Sequence, residues 1–381
     1  MYRSRLLAPG PVAVPQAVLE VLARPAVHHR TSAFRETLVR VRERLADLLQ
    51  VPGDDVLVVG GSGTTAFEAA LLAAVPAGST VVVAHAGKFG ERWARMARAF
   101  GYTVHEVEAP WGAVLDPDAV AGALRDHPAT AALLLTHSET STGALHDLEA
   151  IAGAARAVLP DVLVVVDAVT SAGAVELLPH AWDVDAVVAG SQKGVMLPPG
   201  LGYAWLSQRA WARAPQGTRV PSFTLDLHAE RPRQRQGDTG ATPSVPLVLA
   251  LEVALDMILA QGMEARWREK ALLNEAVLGG AAAVGYAPFA ARPSPAVAAL
   301  LTPDGISAKA VTRAMLARGI RIGGGQDAYA ERMIRPSVLG DADAFDALTI
   351  VAALEAALVD LGATVAVGEG VAAAQRLLLT V

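Results

Sequence analysis

The stretch DVLVVVDAVTSAGAVELLPHAWDVDAVVAGSQKGVMLPPG, residues 161–200, decides how this chain is read. It holds two short apolar runs, Leu163–Val166 and Ala186–Ala189. The first runs into Asp167 and the second into Gly190-Ser191-Gln192-Lys193. Unbroken Val, Leu and Ala runs of this length predict strands buried on both faces, the habit of parallel sheets. Open parallel sheets hold ligands at the carboxyl ends of their strands, which is where this carboxylate and this ammonium stand.

Outward from this stretch the pattern repeats. Val56–Val59 is an apolar run followed by Gly60-Gly61-Ser62-Gly63 and a helix-forming TTAFEAALLAAV. Thr80–Ala84, Tyr102–Val107 and Ala132–Thr136 predict further strands, and Glu91–Phe100 and Glu149–Val158 predict helices. Nearer the N-terminus, Phe34, Leu38, Val41, Leu45, Leu48 and Leu49 recur at helical spacing. Strands alternating with helices predict an α/β fold, its mainly parallel central sheet sandwiched by helices. A Gln-, Arg-, Pro- and Thr-rich connection over 217–246 leads to a helix over Pro246–Leu259. A smaller C-terminal α/β unit follows, with strands expected at Val297–Leu301 and Arg332–Val338. Helices near Ala308–Arg318 and Ala344–Leu361 would cover it. At 381 residues the chain exceeds one compact core. The expected division is a large domain over 16–255 and a small one from 1–15 and 256–381.

Composition narrows the function. Hydrophobic residues make up 52% and charged residues 18%, with a net charge of -6. No dense run of Lys and Arg offers a surface for nucleic acid or an anionic membrane. The absence of cysteine excludes disulfide scaffolds, thiolate metal sites and a cysteine nucleophile. The N-terminal MYRSRLLAPGPVAVPQ is broken by Pro9-Gly10-Pro11 before it reaches the apolar length of a signal peptide. No run of about eighteen uncharged apolar residues stands out. A cytoplasmic protein is expected.

Three segments are candidates for chemistry. Gly60-Gly61-Ser62-Gly63-Thr64, between a strand and a helix, could hold a phosphate on its backbone N–H groups. It reads equally as a tight turn with a helix N-cap. Asp167 closes a buried strand and needs a partner there, though it could simply cap the next turn. Lys193 is one of four lysines. Lys270, in WREK, and Lys309, in a polar first helical turn, are expected to be solvated. Lys193 instead follows a buried strand, with Pro198-Pro199-Gly200 fixing the loop beyond. Its ammonium should be easily deprotonated, which suits Schiff-base chemistry, a structural ion pair being the plainer alternative. An aldehyde for the lysine, a ring nitrogen for the aspartate and a phosphate for the glycine turn together describe pyridoxal 5'-phosphate.

The segments LLAPGPVAVP, GGSGTTAFEAAL, THSETSTG, VVVDAVTSAGA, GSQKGVMLPPG and TPSVPL occur in this order. In this the chain resembles the class V aminotransferases of fold type I, and the alanine–glyoxylate and serine–pyruvate group in particular. The likeness runs from about Leu6 to about Leu361, and SQK followed by PPG is its most specific piece. It implies a transaminase that moves an amino group from alanine or serine to glyoxylate or pyruvate, as a homodimer with active sites at the subunit interface.

The resemblance also implies roles. Lys193 would carry the cofactor as a Schiff base and move the substrate proton, with Asp167 opposite the ring nitrogen. Phe89 and Val169 would cover the two ring faces, and Thr140 would reach the ring hydroxyl. Ser62, Gly63, Thr64 and Gln192 would bind the phosphate, with Thr242 reaching it from the neighbouring subunit. Arg335 would grip the substrate carboxylate, a task for a planar fork, while Gly10, with Pro9 and Pro11, would line the substrate site. Two departures stand out. Thr239 falls where some relatives have a phosphate-binding Tyr, and Pro336-Ser337 falls where the family tends to Ile-Gly.

Other features have plainer readings. A lyase or phosphonate transaminase shares the fold, and a nicotinamide dehydrogenase would need a G-x-G-x-x-G spacing that VVGGSGTTA lacks. His28-His29-Arg30 reads as a loop near the active-site entrance rather than a metal site. His85 and His137 read as hydrogen-bonded structural residues, and Trp93, Trp182 and Trp267 as packing groups.

Overall fold

The computed structural model describes residues 4–53, 55–213 and 220–379. Its centre is a seven-stranded sheet: β1 (Leu57–Gly61), β2 (Thr80–His85), β3 (Thr103–Glu108), β4 (Thr130–Thr136), β5 (Leu163–Asp167), β6 (Ala186–Gly190) and β7 (Gly200–Leu206). The spatial order is β1-β7-β6-β5-β4-β2-β3. Every neighbouring pair is parallel except those made by β7, which runs antiparallel to both β1 and β6. The β7 strand carries little sequence signal, because Gly200-Leu201-Gly202 has the composition of a loop.

Side chains alternate across this sheet into two apolar layers. Val164, Val166, Val187 and Ala189 join one layer with the helices Ser32–Leu49 and Val245–Gln261. Leu163, Val165, Ala186 and Val188 join the other with the helices Gly63–Ala74 and Lys88–Ala99. Two-sided burial is why the strands read as unbroken apolar runs. The same alternation puts Asp167 on the side of Leu163 and Val165, the layer that contains Trp93. The register pairs Asp167 with Thr136 on β4 and Val188 on β6.

A second sheet is antiparallel, ordered Ala287–Pro288, Leu300–Leu301, Met333–Arg335 and Gly323–Gly324. Beside it, Arg5–Leu6 pairs parallel with Ile320–Arg321, which carries the N-terminal segment across to this unit. The helices Ala308–Ala317 and Ala344–Asp360 pack here. The strands expected over Val297–Leu301 and Arg332–Val338 are real but shorter. The C-terminal helix Glu369–Leu378 lies on Met263–Ala283, where a Cβ on Gly280 would come within 2.8 Å of the Gly370 carbonyl oxygen. In the connection over 217–246, of which 217–219 lie outside the described residues, a helix forms at Leu227–Gln234.

One expectation is corrected. Lys270 is not solvated: it is 2% exposed, and its Nζ donates to the Ala342 carbonyl at 2.7 Å. Its neighbours in WREK are charged, but the helix Met263–Ala283 turns this residue inward beneath the 341–346 segment. Among the described residues no single helix is long and apolar enough to cross a membrane.

Candidate active site

A cleft of about 360 Å³ opens at the carboxyl ends of β4, β5 and β6. Ligand sites of this size are ordinary. Gly10, Ser62, Gly63, Thr64, Phe89, Thr140, Asp167, Val169, Gln192 and Lys193 all line it. Ten of the twelve residues named from the sequence therefore meet at one place.

Lys193 leaves the end of β6 and its Nζ donates to the Pro9 carbonyl. Burial pushes its pKa down to about 8, and the nearby positive Arg335 acts the same way. The N-terminal loop presses directly on this side chain. Gly10 has φ +111, and a Cβ there would lie 2.5–2.7 Å from Lys193 Cδ, Cε and Nζ. Only glycine fits this approach.

Asp167 ends β5. Burial raises its pKa to about 7, partly opposed by the hydrogen bond from Val169 N to Oδ1 at 2.8 Å. Trp93 Nε1 donates to Oδ2 at 3.1 Å and to Thr136 Oγ1 at 3.0 Å. Trp93 is thus more than the packing group expected, although it also stacks on Phe67.

At the far end of the cleft Ser62 caps the helix Gly63–Ala74. Its Oγ accepts from Thr65 N, while Ser62 N donates back to Thr65 Oγ1 at 3.1 Å. The earliest amides of a helix have no intrahelical acceptor, so this turn can receive an anion. Gln192 Oε1 is buried beside it without a hydrogen bond among the described residues. A Cβ on Gly63 would overlap Val169 Cγ2, so the turn must be glycine to sit against that residue. Arg92 also lines the cleft. It donates from Nη1 to Thr64 Oγ1 at 3.3 Å and lies over the Phe89 ring.

Phe89 is held by Glu139, a residue distant from it in the chain. Glu139 is buried, and its carboxylate accepts from Phe89 N at 3.1 Å, Gly90 N at 3.0 Å and Ser141 N at 3.0 Å. It therefore caps the helix Lys88–Ala99, whose own N-cap, Gly87, has no side chain to do so. Glu139 lies fifty residues from Phe89, too far for a local capping signal.

Arg335 lies behind the cleft wall rather than in the lining. It is 8% exposed, and donates from Nη1 to the Thr140 carbonyl at 2.6 Å and from Nε to the Gly324 carbonyl at 2.7 Å. The nearby Arg332 and Arg321 are exposed. Thr242 is exposed and outside the cleft, and Thr239 turns its hydroxyl to the Ala241 carbonyl at 2.8 Å. Arg30 pairs with Asp238 at 3.1 Å, leaving His28 and His29 stacked on each other. His85 bonds Glu106 at 3.0 Å, but His137 Nδ1 has no partner among the described residues.

Pyridoxal phosphate fits this donor set. The cleft offers a buried amine for the aldehyde, a buried carboxylate already held by two donors, and a glycine-tight helix start next to an unsatisfied amide.

Comparison with known proteins agrees. The family model described as aminotransferase class-V matches residues 14–339. The soluble hydrogenase small subunit of a Synechococcus strain is 39% identical, with 99% of both chains covered. The serine–glyoxylate aminotransferase of Methylorubrum extorquens is 31% identical over 99% of this chain and 96% of its own. The crystal structure of a subgroup IV aspartate aminotransferase from Thermus thermophilus superposes with a TM-score of 0.88 at 39% identity. It covers 94% of this chain and 99% of that one.

Proposed function

Because this chain belongs to the class V aminotransferase family, and with it to the pyridoxal-phosphate-dependent transaminases, we propose that it moves an amino group from alanine or serine to glyoxylate or pyruvate. The observation that carries this reading is the meeting of Lys193 and Asp167 in one buried cleft beside the Ser62–Thr64 turn. No cysteine is present to supply a thiolate to a redox metal.

Bound here, pyridoxal phosphate supplies a carbonyl that condenses with amines and a ring that draws electrons from the substrate Cα. The chain supplies the rest. Lys193 would hold the cofactor covalently and, once free, would take the proton from the donor Cα and deliver it to the cofactor C4′, the carbon that receives the amino group. With its pKa lowered to about 8, a useful share is neutral near neutral pH. Asp167 sets a negative charge against the ring nitrogen, and Trp93 and Val169 N keep its carboxylate aimed. Phe89, fixed through Glu139, and Val169 cover the ring faces. Ser62, Gly63, Thr64 and Gln192 hold the phosphate, aided by Thr242 of a second copy in a homodimer. Arg335, oriented by Thr140 and Gly324, binds the substrate carboxylate, and Gly10 closes the mouth. A cytoplasmic location completes the proposal.

The test is a half-reaction. Purified protein should be yellow, and the visible band should bleach with alanine or serine and return with glyoxylate or pyruvate. A band that answers only to aspartate or to a phosphonate would reassign the substrates. Full turnover by Lys193→Ala would overturn the mechanism.

A further inference from the structure

Resting on the transaminase reading, we propose that Arg266 is a positioning residue that fixes the Lys193 loop against the Asp167 turn and the segment leading from Arg335. Arg266 stands in the first turn of the helix Met263–Ala283, near the helix end where a cation is disfavoured. It is 4% exposed. Glu269 and Asp341 act on it only at a distance; its guanidinium donates to main-chain carbonyls instead. Nε reaches Gly173 at 2.7 Å, and Nη2 reaches Gly194 at 3.2 Å and Gly340 at 3.1 Å. Nη1 donates to Gln261 Oε1 at 3.1 Å.

Those three carbonyls belong to three parts of the site. Gly173 closes the turn that begins at Asp167, Gly194 follows Lys193, and Gly340 ends the segment leading from Arg335. The first two segments touch backbone to backbone. A Cβ on Gly194 would come within 3.1 Å of the Gly173 carbonyl carbon, and one on Gly173 within 3.2 Å of the Gly194 oxygen. A Cβ on Gly340 would meet Val12 Cγ2 at 3.0 Å, and Val12 N donates to the Gln192 carbonyl at 3.2 Å. The N-terminal loop over the cleft is therefore tied to the same hub. Burying a cation among neutral carbonyls is costly, and the three carbonyls it satisfies would each be costly to leave bare. What a guanidinium adds is a rigid planar fork, with donors in fixed directions for several acceptors at once. Proton transfer at the substrate Cα needs Lys193 and the gripped carboxylate in one geometry, and an offset of 1 Å can cost about 100-fold in rate.

The experiment compares holoenzyme of the wild type, Arg266→Met and Arg266→Lys. Half-reaction rates are measured with α-protiated and α-deuterated serine or alanine, alongside cofactor affinity and Tm. The expected result for Arg266→Met is a rate per bound cofactor about 100-fold lower. Its α-deuterium isotope effect should rise while cofactor affinity changes little, and Arg266→Lys should recover part of the rate. Should Arg266→Met fail to fold, Arg266→Lys carries the same comparison. An unchanged rate and isotope effect in folded variants, however far Tm falls, would overturn the inference. A wild type that binds the cofactor but reacts with no amino donor would overturn the transaminase reading, and the inference with it.

Discussion

The indole N–H of Trp93 donates to Asp167 Oδ2 at 3.1 Å from a helix seventy-four residues earlier in the chain. Burial raises the pKa of this carboxylate, and the Trp93 and Val169 hydrogen bonds hold it down. Asp167 is thus poised near neutrality, where a cationic ring nitrogen would stabilise its ionised form.

That balance has a pH signature in the cofactor-free protein. The folded pKa of Asp167, about 7, lies above its ordinary value of 3.8. Between those values the native state binds more protons than the unfolded one, so this group's contribution to stability falls as pH rises. The slope is at most about 1.4 kcal/mol per pH unit. Asp167→Asn should remove it. Denaturation midpoints of cofactor-free wild type and variant, followed from pH 4 to 8, should diverge from parallel across that window.

Removing the indole donor should act on the ionised carboxylate. Trp93→Phe is expected to cost about 1–3 kcal/mol of stability. The loss should be greater at pH 8 than at pH 5, because the protonated acid depends less on that donor. Urea unfolding at the two pH values measures the difference.

The Gly63–Val169 contact offers a steric test. Gly63→Ala places a methyl on Val169 Cγ2. It should weaken cofactor binding about tenfold, the cost of roughly 1.4 kcal/mol of strain in a packed wall. Val169→Ala in the same chain should restore much of that loss, a coupling that a double-mutant cycle reads directly from cofactor titrations. Additive effects would mean that the two residues do not meet.

Arg335 makes a separable contribution. Arg335→Lys keeps the charge but loses the fork that meets both Thr140 and Gly324. Its KM for the amino donor should rise about 10- to 100-fold, equivalent to about 1.4–3 kcal/mol. Cofactor affinity should stay near wild type. An unchanged KM would move substrate recognition elsewhere, with Arg92 the next cation in the cleft to test.

Much of this architecture was legible because two-sided burial writes itself into the chain. LVVVD and AVVAGSQK each announced a strand and the reacting group at its end. Partners supplied from a distance were not legible. Glu139 looked like one polar residue among several in THSETSTG, and its role as helix cap depends on a glycine at position 87. Trp93 read as packing because helical spacing places it on the apolar face, which it does occupy while its N–H turns to Asp167. Lys270 misled through its neighbours, since WREK records local charge but not the side of the helix that packs. The second sheet was the hardest part, because strands such as Leu300–Leu301 are too short to show a period.

That misread lysine sharpens the central test. Lys270 is also buried, and burial lowers its pKa to about 8 as well, so a depressed pKa alone does not single out Lys193. Borohydride reduction of the yellow protein followed by peptide mass spectrometry does, since it locks the cofactor onto whichever amine carries it. The expected result is one pyridoxyl group on the peptide containing Lys193 and none on those containing Lys88, Lys270 or Lys309. A label on Lys270, or no label on Lys193 in protein that had bound the cofactor, would contradict the account.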